Sequence, residues 1–163
     1  MGVEIERKFL IKEVPKNLDD YISIESKQGY LEVQNPNFAE LRIRMKKRQG
    51  ETTYLCAIKT GGGLKGLQRD EIEIEIPSQT YEAMWLQTEG ERIEKTRYEI
   101  PRDSHLIELD IYHRNLEGLV TVEVEFESVE ESVSFVPPSW FGREITSDSR
   151  YKNKNLALKG LPG

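Results

Sequence analysis

Charged side chains of the same sign recur in closely spaced pairs along this chain. Each pair occupies positions i and i+2 of a segment in which charged and apolar residues alternate: Glu4/Glu6, Arg42/Arg44, Glu71/Glu73, Lys95/Arg97 and Glu123/Glu125. In a β-strand these two positions lie on one face, about 7 Å apart. Like charges this close repel each other unless a ligand or an opposite charge lies between them. The pairs therefore suit a shared site for a polyvalent ligand.

The acidic and the basic pairs suit two different ligands. Paired carboxylates bind divalent cations, and a donor set made only of oxygen favours Mg²⁺ or Mn²⁺. Paired arginine and lysine side chains bind an oxyanion that carries several negative charges. A polyphosphate together with its metal meets both requirements. The alternative is an ordinary antiparallel sheet whose polar face is simply in contact with solvent.

Composition limits the class of protein that can carry this site. The chain has 163 residues, 29 acidic and 23 basic, with a net charge of −6, which predicts one domain over residues 1–163. No segment approaches the roughly 20 apolar residues of a membrane span, and the N-terminal residues are too charged for a signal peptide. The single cysteine, Cys56, excludes an internal disulfide and a zinc site built on paired cysteines. The acidic balance argues against nucleic-acid binding, so we expect a cytoplasmic protein with neither nucleic acid nor membrane as a partner.

The elements that must position these pairs are mostly strands. Alternation with a period of two predicts about eight of them, in segments 3–9, 22–33, 41–45, 52–60, 69–76, 95–97, 108–111 and 122–126. Several of the links between them are short, polar or glycine-rich, which favours antiparallel neighbours. Helical spacing predicts helices over 78–89, 128–135 and 148–159, and residues 15–21 could hold one turn. The expected fold is mainly β, in the α+β class.

Closure of the sheet would gather the charged pairs. We expect a closed eight-stranded antiparallel β-barrel, a tunnel with a charged interior that is flanked by a few helices and can hold one small ligand. The apolar strand face would then lie outside, covered in part by the helices that carry Trp85 and Trp140. First and last strands are neighbours in a closed barrel, so the pairs Glu4/Glu6 and Glu123/Glu125 could converge on one ion.

The motif Glu4-x-Glu6-x-Lys8 resembles the signature of the CYTH superfamily, the triphosphate tunnel metalloenzymes. Further segments are similar to that family in the same order: Gln28-Gly29-Tyr30-Leu31, Arg42-x-Arg44, Lys59, Arg69-x-Glu71-x-Glu73, Glu94-Lys95-x-Arg97-Tyr98, Asp110, Glu123-x-Glu125 and Arg150-Tyr151-x-Asn153. The resemblance runs from Glu4 to about Leu158 and is greatest to the compact bacterial branch. It implies a tunnel of eight antiparallel strands and activity on a triphosphate.

The resemblance also implies a role for each charged position. The metal ligands would be Glu4, Glu6, Glu123 and Glu125, while Asp110 would help a second metal or orient a basic residue. The phosphates would be held by Lys8, Arg42, Arg44, Lys59, Arg69, Lys95 and Arg97. Glu71 and Glu73 would support these cations, or form with Arg69 a buried ion-pair ladder. Tyr30 with Lys8 is the candidate catalytic pair, because nearby cations lower the pKa of tyrosine and of lysine.

The expected function is the metal-dependent hydrolysis of inorganic triphosphate to pyrophosphate and phosphate. Alternatives within the superfamily are a nucleoside or thiamine triphosphatase and a class IV adenylate cyclase, whose base-recognition pocket is not evident in the sequence. An alternative of another class is a polyphosphate-binding protein without turnover, which the two intact acidic pairs disfavour. Apolar strand surface on the exterior would allow a homodimer.

Overall fold

The structure is a computed structural model that describes residues 5–32, 34, 38–60 and 71–163, with the side chains of residues 38, 39 and 60 left undescribed. Its strands are β1 (Ile5–Ile11), β2 (Ile22–Leu31), β3 (Phe38–Arg48), β4 (Glu51–Thr60), β5 (Glu71–Glu75), β6 (Arg92–Arg102), β7 (His105–Tyr112), β8 (Val120–Phe126) and β9 (Phe141–Glu144). Its α-helices are α1 (Ser78–Trp85), α2 (Val129–Ser134) and α3 (Asn153–Lys159). Short 3₁₀ turns occupy Leu18–Asp20, Leu86–Thr88, Arg114–Leu116 and Ser149–Tyr151.

The described strands form one sheet in the order β5-β4-β3-β2-β6-β7-β8-β1-β9, and all their pairings are antiparallel. The mainly β, α+β class is thus confirmed. The predicted closed eight-stranded barrel is not, because the sheet has nine described strands and its edge strands β5 and β9 do not pair with each other. The reason lies in β9, which the alternation did not predict. It occupies the edge of β1 opposite β8, through Phe9↔Glu144 and Ile11↔Phe141.

The apolar face of the sheet forms most of the outer core. Phe9, Leu109, Val122 and Val124 are buried against Phe141, with Trp140 packed beside them. A second cluster lies under α1, where Tyr81 and Trp85 cover Ile43 and Cys56. Segments that carry the two tryptophans therefore cover this face as expected, although Trp140 lies in a turn rather than in a helix. On the edge strand β5, Ile72 and Ile74 are more than half exposed, so none of the described residues covers this face there.

The helices follow the sequence signals with local differences. α2 begins after Ser128, whose hydroxyl accepts a hydrogen bond from the Glu131 amide as an N-cap. The helix predicted over 148–159 is interrupted, because Lys152 has an extended backbone between the 3₁₀ turn and α3. No helix in the described part of the chain is long and apolar enough to span a membrane.

One end of the inner face is apolar. There Leu156 of α3 joins Tyr30, Ile93 and Tyr112, which lie on β2, β6 and β7, in a buried cluster. Tyr151 from the preceding turn belongs to the same cluster. The C-terminal segment therefore packs onto the sheet from the side on which the charged residues lie.

Candidate active site

The charged inner face of the sheet encloses a cavity of about 930 Å³. Its described lining holds seven lysine and arginine side chains and eight carboxylates, namely Lys8, Arg42, Arg44, Lys59, Arg97, Lys152 and Lys154 with Glu6, Glu40, Glu71, Glu73, Glu108, Glu123, Glu125 and Asp148. Strand alternation explains this composition, because every second residue of a strand faces the same side. Most of the charged positions that the sequence singles out therefore meet in one space.

The carboxylates on β1, β7 and β8 form one wall of the cavity, which we call the acidic wall (Glu6, Glu108, Glu123 and Glu125). Antiparallel register sets Glu6 opposite Glu125, and sets Glu123 opposite both Glu108 and Lys8. Opposed residues on neighbouring strands lie about 5 Å apart at their Cβ atoms. Three members of the first and last acidic pairs thus lie on neighbouring strands, whereas Glu4 lies outside the described residues, and their convergence on one ion stays a prediction.

A basic wall faces the same cavity and consists of Arg42, Arg44 and Lys59 on β3 and β4. Glu71 accepts a bond of 2.7 Å from Arg42, and Glu40 lies 3.3 Å from Arg42 and 3.8 Å from Lys59. Burial lowers the pKa of Arg44, and the positive charge of Arg42 lowers it further. The Nε atoms of Arg42 and Arg44 are buried without a hydrogen-bond partner. This wall therefore holds donors that its own carboxylates do not satisfy.

Arg97 lies on β6, between the strands of the two walls in the sheet order, and a buried carboxylate fixes its position. Asp110 accepts from Arg97 Nε at 2.7 Å and Nη2 at 2.9 Å, and from Lys95 Nζ at 2.8 Å. Burial alone would raise the pKa of Asp110, but the two cations outweigh it and hold this pKa well below its usual range. Arg97 also donates to Glu108 at 2.8 Å and Glu123 at 3.3 Å. These carboxylates together raise the pKa of Arg97 despite its burial.

Lys95 and Asp110 do not contribute to the described lining of the cavity. The expectation that Lys95 holds a phosphate does not fit this geometry, because its ammonium is buried against Asp110 and burial lowers its pKa. Both carboxylate oxygens of Asp110 are engaged by cations. Of its two expected roles, the geometry supports the orientation of a basic residue and not the binding of a second metal.

The acidic wall fits a hard divalent cation by its donor chemistry. All its ligating atoms are carboxylate oxygens, the donors that Mg²⁺ and Mn²⁺ prefer. Burial raises the pKa of Glu108, and Glu123 and Glu125 raise it further against the opposing effect of Arg97. The neighbouring carboxylates of the wall thus repel one another, and a bound divalent cation would relieve this repulsion. Within the described residues no group of three or more His, Cys, Asp or Glu side chains is close enough to form a finished metal site.

The candidate catalytic pair, Tyr30 and Lys8, lines the cavity. Arg42 and Arg44 do lower the pKa of Tyr30, as expected, but burial and the charge of Glu40 outweigh them and raise this pKa to about 12. Lys8 donates to the carbonyl oxygen of Tyr151 at 2.8 Å, and its Nζ lies 4.0 Å from Glu123. Lys8 therefore stands at the acidic wall.

The structure places the predicted supporting residues and adds others that the sequence did not predict. Glu71 pairs with Arg42, as a supporting carboxylate would, and Glu73 lines the cavity. Arg69 lies outside the described residues. Glu40 and Glu108 were not predicted, although each stands two residues from a predicted site residue on the same strand face. The C-terminal segment also reaches the cavity: the sequence motif contained Asn153, whereas the other three residues were not predicted and only the tertiary fold brings them there, namely Lys152, Lys154 and Asn155.

An antiparallel sheet whose charged inner face carries an acidic and a basic wall defines a protein of the triphosphate tunnel class. An inorganic triphosphatase from Nitrosomonas europaea is 43% identical to this chain over 157 residues, which cover 95% of this chain and 97% of that protein. An inorganic triphosphatase from Acetivibrio thermocellus is 34% identical over 161 residues, covering 96% and 94%. This chain belongs to their family, the inorganic triphosphatases of the CYTH superfamily.

Solved structures agree with this assignment. The crystal structure of the inorganic triphosphatase NE1496 matches with a TM-score of 0.78 and 40% identity, covering 100% of this chain and 99% of that one. A more distant structure, HpAC1 from Hippeastrum, described as a putative adenylyl cyclase with a dominant triphosphatase activity, has a TM-score of 0.53 at 16% identity and shares the fold. No protein-family model matches the chain.

Proposed function

We propose that this protein hydrolyses inorganic triphosphate to pyrophosphate and phosphate, with Mg²⁺ or Mn²⁺ as the required metal, inside the charged cavity. One observation carries the proposal. Arg42 and Arg44, whose buried Nε donors have no acceptor among the described residues, line the cavity that also holds the acidic wall. A polyanion in the cavity offers acceptors to the guanidinium groups of these arginines, and a cation bound to that polyanion offsets the acidic wall. The inorganic triphosphatases to which the chain is similar support triphosphate as the polyanion.

The basic residues of the cavity bind and orient the phosphates in this proposal. Arg42 and Arg44 offer planar guanidinium groups, which match the geometry of phosphate oxygens. Asp110 holds Arg97 by two hydrogen bonds, so that little conformational entropy is lost when Arg97 meets the ligand. Lys59 lies beside this group and completes the basic wall. Lys95 supports Arg97 from behind through Asp110 and does not itself contact phosphate.

The acidic wall would hold the metal, with Glu6, Glu123 and Glu125 as ligands and Glu4 as a further one. A divalent cation bound there would neutralise charge on the phosphate oxygens. The side chains would position the phosphates and stabilise the remaining charge, and these two effects supply most of the catalysis in phosphoryl transfer. Lys8, beside Glu123, would neutralise charge that develops on the phosphoryl group attacked by water.

Phosphate release tests this proposal directly. Inorganic triphosphate and ATP are assayed side by side with Mg²⁺, with Mn²⁺ and with a chelator. We expect metal-dependent release that is faster from triphosphate than from ATP. Release mainly from ATP would instead indicate a nucleotide-directed enzyme. Pyrophosphate produced from ATP without phosphate would indicate a cyclase.

Two arginines of one strand provide a matched pair of variants for this assay. Arg44→Ala removes a cavity donor, and we expect a loss of about 10- to 100-fold in kcat/KM because a charged hydrogen bond contributes about 1.5–3 kcal/mol. Arg48→Ala removes an arginine that is about half exposed and lies outside the described lining, and we expect nearly unchanged turnover. Equal losses in both variants would contradict the assignment of the basic wall.

A further inference from the structure

Gln28 and Tyr30 form a hydrogen bond for which the proposed mechanism has so far no use. They stand two residues apart on one face of β2, opposite Arg44 and Arg42 of β3. Gln28 Nε2 donates to Tyr30 Oη at 2.5 Å. Both residues are only 3% exposed, so the bond is fixed by the packing around it.

The direction of this bond determines what the Tyr30 hydroxyl can do. A phenolic oxygen can accept a hydrogen bond, and its O–H group can donate one. Gln28 already donates to this oxygen, so the O–H group is left to donate. The two opposing arginines cannot receive the hydrogen, because a guanidinium group has no acceptor atom. Among the described residues, the hydroxyl donates to none. Tyr30 lines the cavity while Gln28 does not, so a ligand in the cavity is placed to accept this hydrogen.

The protonation state agrees with a donor role. Burial and the charge of Glu40 raise the pKa of Tyr30 to about 12. At pH 8 only about one molecule in 10⁴ would then carry a phenolate. A general base needs a pKa near the working pH, whereas a hydrogen-bond donor needs the proton to stay in place.

We propose that Tyr30 is a neutral hydrogen-bond donor to a phosphate oxygen of the ligand, and that Gln28 is the positioning residue that directs this hydroxyl into the cavity. The inference rests on the proposed function for its substrate. It assigns Gln28 a role and gives Tyr30 a role different from that of a proton acceptor. The protein then recognises phosphate by a neutral hydroxyl in addition to its cations.

The first test compares the wild type with Tyr30→Phe across pH 7 to 10, using phosphate release from inorganic triphosphate. We expect the variant to lose about 10- to 100-fold in kcat/KM, the usual effect of a hydrogen bond to a charged group. The ratio of the two activities should stay constant over this range, because the donor keeps its proton below its pKa. If Tyr30 were the base, the ratio would rise about tenfold per pH unit, and this result would overturn the inference.

The second test is a double-mutant cycle between the two residues. Gln28→Met keeps the length of the side chain and removes the donor, and we expect a loss of about 3- to 10-fold in kcat/KM. In the Tyr30→Phe background the same change should have no further effect, because Gln28 acts through a hydroxyl that is then absent. Additive losses would show that Gln28 does not act through Tyr30 and would overturn its assignment.

A tyrosine on the outer face provides the matched control. Tyr81 belongs to α1, its buried hydroxyl has no hydrogen-bond partner among the described residues and it does not line the cavity, so Tyr81→Phe should leave kcat/KM unchanged. The series is repeated as the shift in melting temperature caused by inorganic triphosphate. A wild type that binds triphosphate without cleaving it would refute the proposed function, and the same cycle read in these shifts would still decide the inference.

Discussion

Removal of the buried charge of Asp110 is expected to destabilise the fold. The effect should be larger than the loss of a metal ligand would cause. Asp110→Asn keeps the shape of the side chain and removes its negative charge. It leaves Lys95, whose side chain is 8% exposed, without a full counter-charge. Arg97 keeps Glu108 and Glu123, so the penalty falls mainly on Lys95.

The magnitude follows from this geometry. Breaking a buried ion pair by removing one partner costs about 3–5 kcal/mol. For a domain of this size each kcal/mol shifts the melting temperature by about 2–4 °C, so we expect a fall of about 6–20 °C. Burial already lowers the pKa of Lys95. The variant should therefore regain stability as pH rises from 7 to 9, because the unfolded chain binds a proton on Lys95 that the folded variant releases.

The assay is thermal unfolding followed by circular dichroism at several pH values. Adding Lys95→Met to Asp110→Asn removes both charges and should recover part of the loss. Asp148→Asn is the control, because Asp148 accepts bonds of similar length from Arg150 and has a pKa lowered to about 2, yet pairs near the surface. We expect little change there, as for other exposed pairs. A folded Asp110→Asn protein that melts within 2 °C of the wild type would refute this reasoning, whatever its activity.

Three further predictions concern metal, ligand and helix. Glu6→Gln should raise the Mg²⁺ concentration needed for half-maximal phosphate release at least tenfold with little change in melting temperature, and equal Mg²⁺ titrations would exclude Glu6 as a ligand. Inorganic triphosphate at 100 times its Kd should stabilise the protein by about 2.7 kcal/mol, measured as a rise of about 5–11 °C in melting temperature, and no rise would argue against a built site. Ser128→Ala should cost about 1 kcal/mol in urea unfolding through the lost cap of α2, with phosphate release unaffected.

Much of the sheet could be predicted because half-buried strands carry their period in the sequence. The strands around Glu6, Arg42 and Glu123 alternate charged and apolar residues, and alternation alone assigns the charged positions to one face. β9 could not be found this way, since four residues are too few for a period. Its position depends on tertiary contacts, such as the close approach of Gly142 to the Leu10 carbonyl, where an added Cβ would lie 3.2 Å from that oxygen.

Within the site, the sequence predicted which types of residue take part, but it could not predict how deeply each side chain is buried. Lys95 and Arg97 look equivalent in the sequence, yet one is buried against Asp110 and the other reaches the cavity. The same limitation explains Tyr30, whose pKa depends on burial more than on the arginines that the sequence places near it. Lys152 and Lys154 were missed because only the break before α3 turns their segment toward the sheet.

Positive and negative charges nearly balance in the cavity, and this balance affects how fast a ligand associates. Seven cationic and eight anionic side chains in the described lining nearly cancel at a distance, and the chain as a whole carries −6. The net negative charge of the protein therefore repels free triphosphate that approaches from bulk water, and electrostatic steering does not speed its association. Moderate salt should speed its association instead of slowing it, because screening weakens that repulsion. A triphosphate that has already bound its cation carries less charge and should enter faster, so the metal and the phosphate would arrive together.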